Sequence, residues 1–257
     1  MRRDCVRNDK KIVLEIMKLL IRNLINIIFP IECLGCKQEG EWLCKDCAKK
    51  IPINSETYCL SCNQTTNFGE YCEKCKINFK LNGVFIASDY NNELVKKLIK
   101  TLKYRFVPDV GRELSKLLIF FLQNQINKAQ VSPPPQVLKN FSETIIMPVP
   151  LHQKRLKWRG FNQAEKLGLP VAEHFNLSVD TTNLQRARHT SSQAQLHAEQ
   201  RKSNLLDSFV WQGENLQNKN IILIDDVATT GSTLEECAKI LKPAGVGEVW
   251  GLVVAHG

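Results

Sequence analysis

The 257-residue chain is 43% hydrophobic and 24% charged, the composition of an ordinary globular protein with room for one sizeable core and a smaller module. A net charge of +9 permits an anionic partner, phosphorylated substrate or nucleic acid, without requiring one. The ten cysteines fall mostly in close pairs and no secretory signal is evident, which argues against a disulfide framework and points to the cytoplasm.

Residues 1–29 are predicted to form an amphipathic helix. A basic start (Arg2, Arg3, Arg7, Lys10, Lys11) runs into an apolar stretch from Ile12 to Phe29. Glu15, Lys18 and Arg22 interrupt it too often for a signal peptide, or for a membrane span of about 20 largely uncharged residues. With Lys11 and Asn26 they form one polar stripe. Such a helix suits docking on the protein's own cysteine module, on a neighbouring subunit or on a membrane surface. Met17 offers an alternative start that would shorten it.

Residues 30–82 carry four Cys-x-x-Cys pairs, Cys33/Cys36, Cys44/Cys47, Cys59/Cys62 and Cys72/Cys75. Two residues between thiolates suit a metal knuckle, and four thiolates complete a tetrahedral zinc site, so eight ligands make two. Spacing alone leaves open whether adjacent pairs share a zinc or the pairs interleave. No His, Asp or Glu stands in ligand spacing to hold a reactive water, so both sites read as structural. Large apolar anchors are few (Trp42, Leu43, Tyr58, Phe79), and metal must supply much of the folding energy.

Residues 83–257 read as a larger α/β domain. A strand is expected over 84–87, a basic amphipathic helix over 93–103 and a more apolar helix over 112–125, with Lys103, Tyr104 and Arg105 between the helices. Residues 126–143, which include Pro133, Pro134 and Pro135, read as an exposed loop or insertion. Ile145–Pro150 is expected as the next strand, followed by a basic loop with His152, Lys154, Arg155, Lys157, Arg159 and Gly160. Asn162 can cap a further helix that Pro170 kinks or ends. Residues 184–205, with Arg186, Arg188, Gln193 and Arg201, read as a mobile polar segment of the kind that closes over a reactive intermediate or contacts nucleic acid. Strands resume at Phe209–Trp211 and Val249–Val254.

The most informative stretch is 221–233. Ile221–Ile224 has the character of a strand buried on both faces, with Asp225 and Asp226 at its carboxyl end. Val227, Ala228, Thr229, Thr230, Gly231, Ser232 and Thr233 then lead into a helix that stops at Lys242-Pro243. Backbone N–H groups, hydroxyls and the helix N-terminus make this turn a phosphate cradle, and the absence of Gly-Lys-Ser/Thr excludes the Walker type. Adjacent carboxylates would repel a phosphate, so vicinal sugar hydroxyls are their best partners.

This stretch resembles the phosphoribosyl-diphosphate motif of type I phosphoribosyltransferases. The resemblance implies that Asp225 and Asp226 are catalytic acids holding ribose hydroxyls, that the turn through Thr233 wraps the 5-phosphate, and that magnesium accompanies the ligand. Adding the cysteine pairs, Leu-Lys-Tyr (102–104), Pro-Val-Pro (148–150), Arg-Gly-Phe-Asn-Gln (159–163) and Arg-x-Arg-x-Thr-x-x-Gln (186–193), the chain resembles the ComF family. That likeness implies a phosphoribosyltransferase-like parallel sheet flanked by helices, a zinc ribbon in front of it and a part in DNA uptake during competence. Cations of the Arg155–Gly160 and Arg186–Arg201 segments would hold the diphosphate. Thr229 stands where some purine-specific relatives place an acid, so a base would come from elsewhere or the acceptor needs none. An enzyme transferring the phosphoribosyl group to a nitrogen nucleophile, a single-stranded DNA-binding module and an adaptor bridging DNA-uptake proteins are the three readings the sequence leaves. His189, Cys237 and His256 receive no role, although Cys237 falls on the inner face of a helix.

Overall fold

A computed structural model describes residues 30–130, 133–187 and 208–257. The helix expected over 1–29 lies outside them, as do Arg188, Gln193 and Arg201. Two compact units divide between Lys49 and Lys50. Among the described residues no helix is long and apolar enough to cross a membrane.

The described part of the smaller unit is one cysteine knuckle followed by the short helix α1 (Lys45–Ala48). Cys44 caps α1, its thiol accepting from the Cys47 N–H.

The larger unit opens with a second knuckle, whose strands β1 (Thr57–Tyr58) and β2 (Thr65–Thr66) pair antiparallel. A 3-10 turn over Lys76–Asn78 leads into β3 (Gly83–Asp89). Helices α2 (Glu93–Tyr104) and α3 (Val110–Lys128) follow, then α4 (Gln136–Lys139) and β4 (Thr144–Pro148). Helices α5 (Gln153–Arg159) and α6 (Gln163–Phe175) lead to β5 (Ser178–Val179). The chain ends with the ribbon β6 (Leu184–Arg186) and β7 (Phe209–Trp211), then β8 (Asn220–Ala228), α7 (Ser232–Leu241) and β9 (Val249–His256).

Strands β3-β9-β8-β4-β5 form one sheet, every pair parallel. Unbroken apolar runs such as Ile221–Ile224 occupy its centre because both faces are covered. On one face α3 lies against β3 and β9, and α6 against β4 and β8. Gly168 lets α6 sit close, since a Cβ there would lie 3.2 Å from both Ile146 and Ile224. Alternation sends Ile221 and Leu223 to the other face. There they join Leu234, Cys237 and Leu241 of α7, Phe209 of the ribbon, and Leu60, Tyr71 and Leu81 of the second knuckle.

Several expectations change in detail. The basic segment after β4 is a helix, not a loop: the His152 ring caps α5 by accepting from the Lys154 N–H, and Gly160 closes it in the left-handed conformation. Lysine and arginine are good helix formers, so charge did not preclude the helix. Among the described residues, 126–143 are not all exposed loop: α3 runs to Lys128, and Val137 and Leu138 are buried. Pro170 does not end α6, which continues to Phe175 and stops at left-handed Asn176. Asp225 and Asp226 lie inside β8, whose pairing with β9 runs on to Ala228↔His256.

Gly251 on β9 faces the first turn of α7, where an added Cβ would stand 2.6 Å from Leu234 Cδ1. Gly251→Val should therefore push α7 outward and cost about 1–3 kcal/mol. Thermal unfolding of the zinc-loaded protein checks this, as a lowered Tm.

Candidate functional site

Adjacent pairs share a metal position. Cys33, Cys36, Cys44 and Cys47 form one cluster and Cys59, Cys62, Cys72 and Cys75 another, with the sulfurs of each set within 4.8 Å of one another. Cys36–Cys44 and Cys62–Cys72 Sγ atoms are 3.6 Å apart. Tetrahedral zinc with Zn–S of about 2.3 Å sets sulfurs roughly 3.8 Å apart, so both sets fit closed structural zinc. They use the same turn. Cys33 N–H bonds Gln38 O and Cys59 N–H bonds Gln64 O, each at 2.8 Å, while Lys37 and Asn63 occupy the left-handed region at φ 70° and 61°.

The acid pair lies at the carboxyl end of the central strand. Asp226 is 2% exposed, and Lys103, from the last turn of α2, reaches its Oδ2 at 2.9 Å. Burial works against the Lys103 charge, but Asp226 and then Asp225 outweigh it and raise its pKa. Asp225 points to the opposite face by strand alternation and accepts the Asp226 N–H at 2.8 Å. Desolvation, then the neighbouring Asp226 charge, pushes its carboxyl up to about 7 against the pull of Lys103.

Beyond β8 the turn holds its shape through short local bonds. Thr230 and Ser232 hydroxyls lie 2.6 Å apart, and Gly231 takes φ 71° ahead of α7. Thr229 and Thr230 are exposed. Glu235, in the first turn of α7, is buried and accepts the Lys80 and Leu81 N–H groups of the second knuckle. Acids suit a helix N-terminus, and here the carboxylate also joins α7 to the knuckle.

Three further cations gather around the acids. Arg159 donates to Gln163 Oε1, and burial lowers its pKa against the field of Asp226. Arg186 lies 5.1 Å from the Phe209 ring centre; burial and then Arg155 lower its pKa, while Asp225 opposes them. Arg155 acts electrostatically on both other guanidiniums. Asn162 orients the start of α6 by donating to Val149 O and accepting from the Ala164 N–H. The chemistry available is thus a hydroxyl-lined turn and acid pair facing a cluster of lysine and arginine, able to hold a polyanion joined to a polyhydroxylated ring.

The structure brings Asp225 and Asp226 within electrostatic reach of Arg159 and Arg186, with Arg155 acting on both guanidiniums; the turn from Val227 to Thr233 continues from the end of β8, and Gly160 caps the helix that carries Arg155 and Arg159. It adds Lys103, which the sequence placed between helices without a partner; its position at the end of an amphipathic helix was the available signal. His256 is also added. Its Nε2 lies 3.0 Å from Thr229 O and its Nδ1 3.2 Å from the Tyr58 hydroxyl, contacts no local pattern announces.

Two family models match the chain: a double zinc ribbon domain over residues 24–76 and a phosphoribosyl transferase domain over residues 165–256. The chain is 28% identical over 236 residues to competence protein F of Haemophilus influenzae, covering 88% of this chain and 98% of the relative. It is 32% identical over 166 residues to the DNA utilization protein YhgH of Salmonella typhimurium, covering 64% and 68%. Against competence protein ComFC of Streptococcus pneumoniae it is 29% identical over 216 residues, covering 83% and 87%.

Metal analysis should find two zinc ions per chain, from the two clusters, falling to one in Cys62→Ser. The raised Asp225 carboxyl has a second measurable consequence. An unfolded Asp ionises near about 3.9, so between there and about 7 the folded chain holds an extra proton and loses stability as pH rises. Asp225→Asn should gain Tm over wild type progressively from pH 5.5 to about 7 and by a constant margin above. Thermal melts across that range read the difference.

Proposed function

The chain belongs to the ComF family, and on that premise we propose that it binds phosphoribosyl diphosphate at the Asp225–Asp226 turn, transfers the phosphoribosyl group to a nitrogen nucleophile, and serves the uptake or use of DNA. What carries this reading is the meeting of acid pair, phosphate turn and the four cations Lys103, Arg155, Arg159 and Arg186 at one end of the sheet. The two zinc sites are scaffolding, and reduced thiolates suit a cytoplasmic setting.

As the C1–O bond to diphosphate breaks and the nitrogen nucleophile bonds to C1, the ribose passes through a transition state of oxocarbenium character. Thr229–Thr233 hold the 5-phosphate through backbone N–H groups and hydroxyls, while Asp225 and Asp226 accept from the ribose hydroxyls. Arg155, Arg159 and Arg186 neutralise the leaving diphosphate, which gains charge in the transition state. Lys103, fixed on Asp226 at 2.9 Å, adds positive potential on the same side. The repulsion between the adjacent acids fits a nearby cation, and magnesium carried by the diphosphate would supply charge neutralisation there.

Exposed aromatics favour a second reading, contact with single-stranded DNA beside this site. Trp158, on the same helix as Arg155 and Arg159, is 63% exposed and meets Phe106 edge-on at 4.8 Å. Phe106 adopts φ 58°, strained for a bulky residue, and Tyr104, two positions before it, is 61% exposed. Stacking faces among Lys154, Lys157 and Arg105 are what unpaired bases require.

Calorimetric titration of zinc-loaded protein with phosphoribosyl diphosphate and magnesium tests the first reading. Asp225→Asn/Asp226→Asn should weaken binding at least about 100-fold, since hydrogen bonds to charged groups contribute about 1.5–3 kcal/mol each. No binding by folded wild-type protein overturns it. For the second, oligodeoxythymidylate affinity should fall steeply with salt and by about 10- to 100-fold in Trp158→Ala. An unchanged affinity in that variant removes the stacking surface.

A further inference from the structure

The second knuckle does more than precede the domain; it forms the floor of the phosphate turn. A Cβ at Gly231 would lie 2.7 Å from Leu60 Cδ2 and 3.3 Å from the Tyr71 hydroxyl. Tyr71 is 4% exposed, stacks on Phe79 with ring centres 4.0 Å apart, and its buried hydroxyl has no hydrogen-bond partner among the described residues. Leu60 follows the ligand Cys59, Tyr71 precedes the ligand Cys72, and Tyr58 precedes Cys59. Any rearrangement of the four sulfurs therefore moves side chains that touch the turn.

Tyr58 reaches the turn through His256. A carbonyl oxygen only accepts, so the 3.0 Å contact of His256 Nε2 with Thr229 O requires the proton on Nε2. With that tautomer Nδ1 accepts from the Tyr58 hydroxyl at 3.2 Å. Tyr58 thus selects the tautomer that can donate to the turn. The Thr229 carbonyl and the Thr230 N–H belong to one planar trans peptide and point in opposite directions. Fixing the carbonyl on His256 aims the Thr230 N–H away from it, into the turn; a flipped peptide would offer an oxygen to the phosphate instead.

Resting on the phosphoribosyl reading above, we propose that His256 is a positioning residue for the phosphate turn, and that Tyr58 and His256 link metal binding at Cys59, Cys62, Cys72 and Cys75 to anion binding at Thr229–Thr233. Because coupling between two binding equilibria is reciprocal, each ligand strengthens the other.

The test uses the full-length, zinc-loaded chain. Phosphoribosyl diphosphate with magnesium is titrated into wild type, His256→Ala, His256→Gln and Tyr58→Phe, each first shown to hold its full zinc and to melt cooperatively. Affinity should drop about 10-fold or more in His256→Ala, recover in part in His256→Gln, whose amide can donate to the same carbonyl, and drop several-fold in Tyr58→Phe. The second readout is zinc transfer to a chelator, compared with a Cys36→Ser chain that reports the second site alone. Added phosphoribosyl diphosphate should slow that release in wild-type His256 background and leave it unchanged in His256→Ala. Equal affinity in wild type, His256→Ala and Tyr58→Phe, or zinc release indifferent to ligand, overturns the linkage while leaving the phosphoribosyl site standing. Absence of binding in wild type overturns both.

Discussion

Parallel pairing of β8 with β9 continues past the acid pair, through Val227↔Ala255 and Ala228↔His256, and that continuation fixes the site. On an unpaired loop, adjacent carboxylates would swing apart and their repulsion would dissipate in water. Inside a ladder they cannot. Alternation places Asp226 on the α2 side, where Lys103 meets it, and Asp225 on the α7 side, where it carries the cost of desolvation. The same extension brings His256 level with Ala228 and hence beside the turn. Acid geometry, lysine contact and turn support all follow from four residues of strand beyond Ile224.

Electrostatics then divides labour between rigid elements. The cations that face the acids come from the end of α2, from α5 and from β6. Hydrophobic packing holds the opposite side of the turn, through Leu60 and Tyr71 under Gly231. Beneath Gly231 that side presents the Leu60 methyl and the Tyr71 hydroxyl.

Much of this was legible in the sequence because it is local. The buried run Ile221–Ile224, the acids and the small turn residues announce strand, turn and helix in thirteen positions, and the Cys-x-x-Cys spacing announces clusters fit for a metal. The partition of cysteines into adjacent sets was not legible, since both arrangements satisfy the spacing. Helix α5 was hidden because its residues are charged and its cap is a histidine ring, an unusual capping group. Lys103 and His256 were missed for a different reason: their partners stand far along the chain, and only the sheet order brings them together. The glycine at 231 looked like a turn requirement alone, whereas the approach of Leu60 constrains it independently of φ.

Strand β9 sits second in the sheet, between β3 and β8, yet it follows every other described strand in sequence. During synthesis, therefore, β3 emerges with its one sheet neighbour about 160 residues away, and β8 can meet β4 but not its other partner. The central layer stays divided until the chain has been made past residue 256. The cysteine knuckles, closed by contacts a few residues apart, can fold around metal long before that. The nascent protein would thus be a metal-bound N-terminal portion carrying an unfinished sheet, and the phosphate turn would be among the last features to take shape.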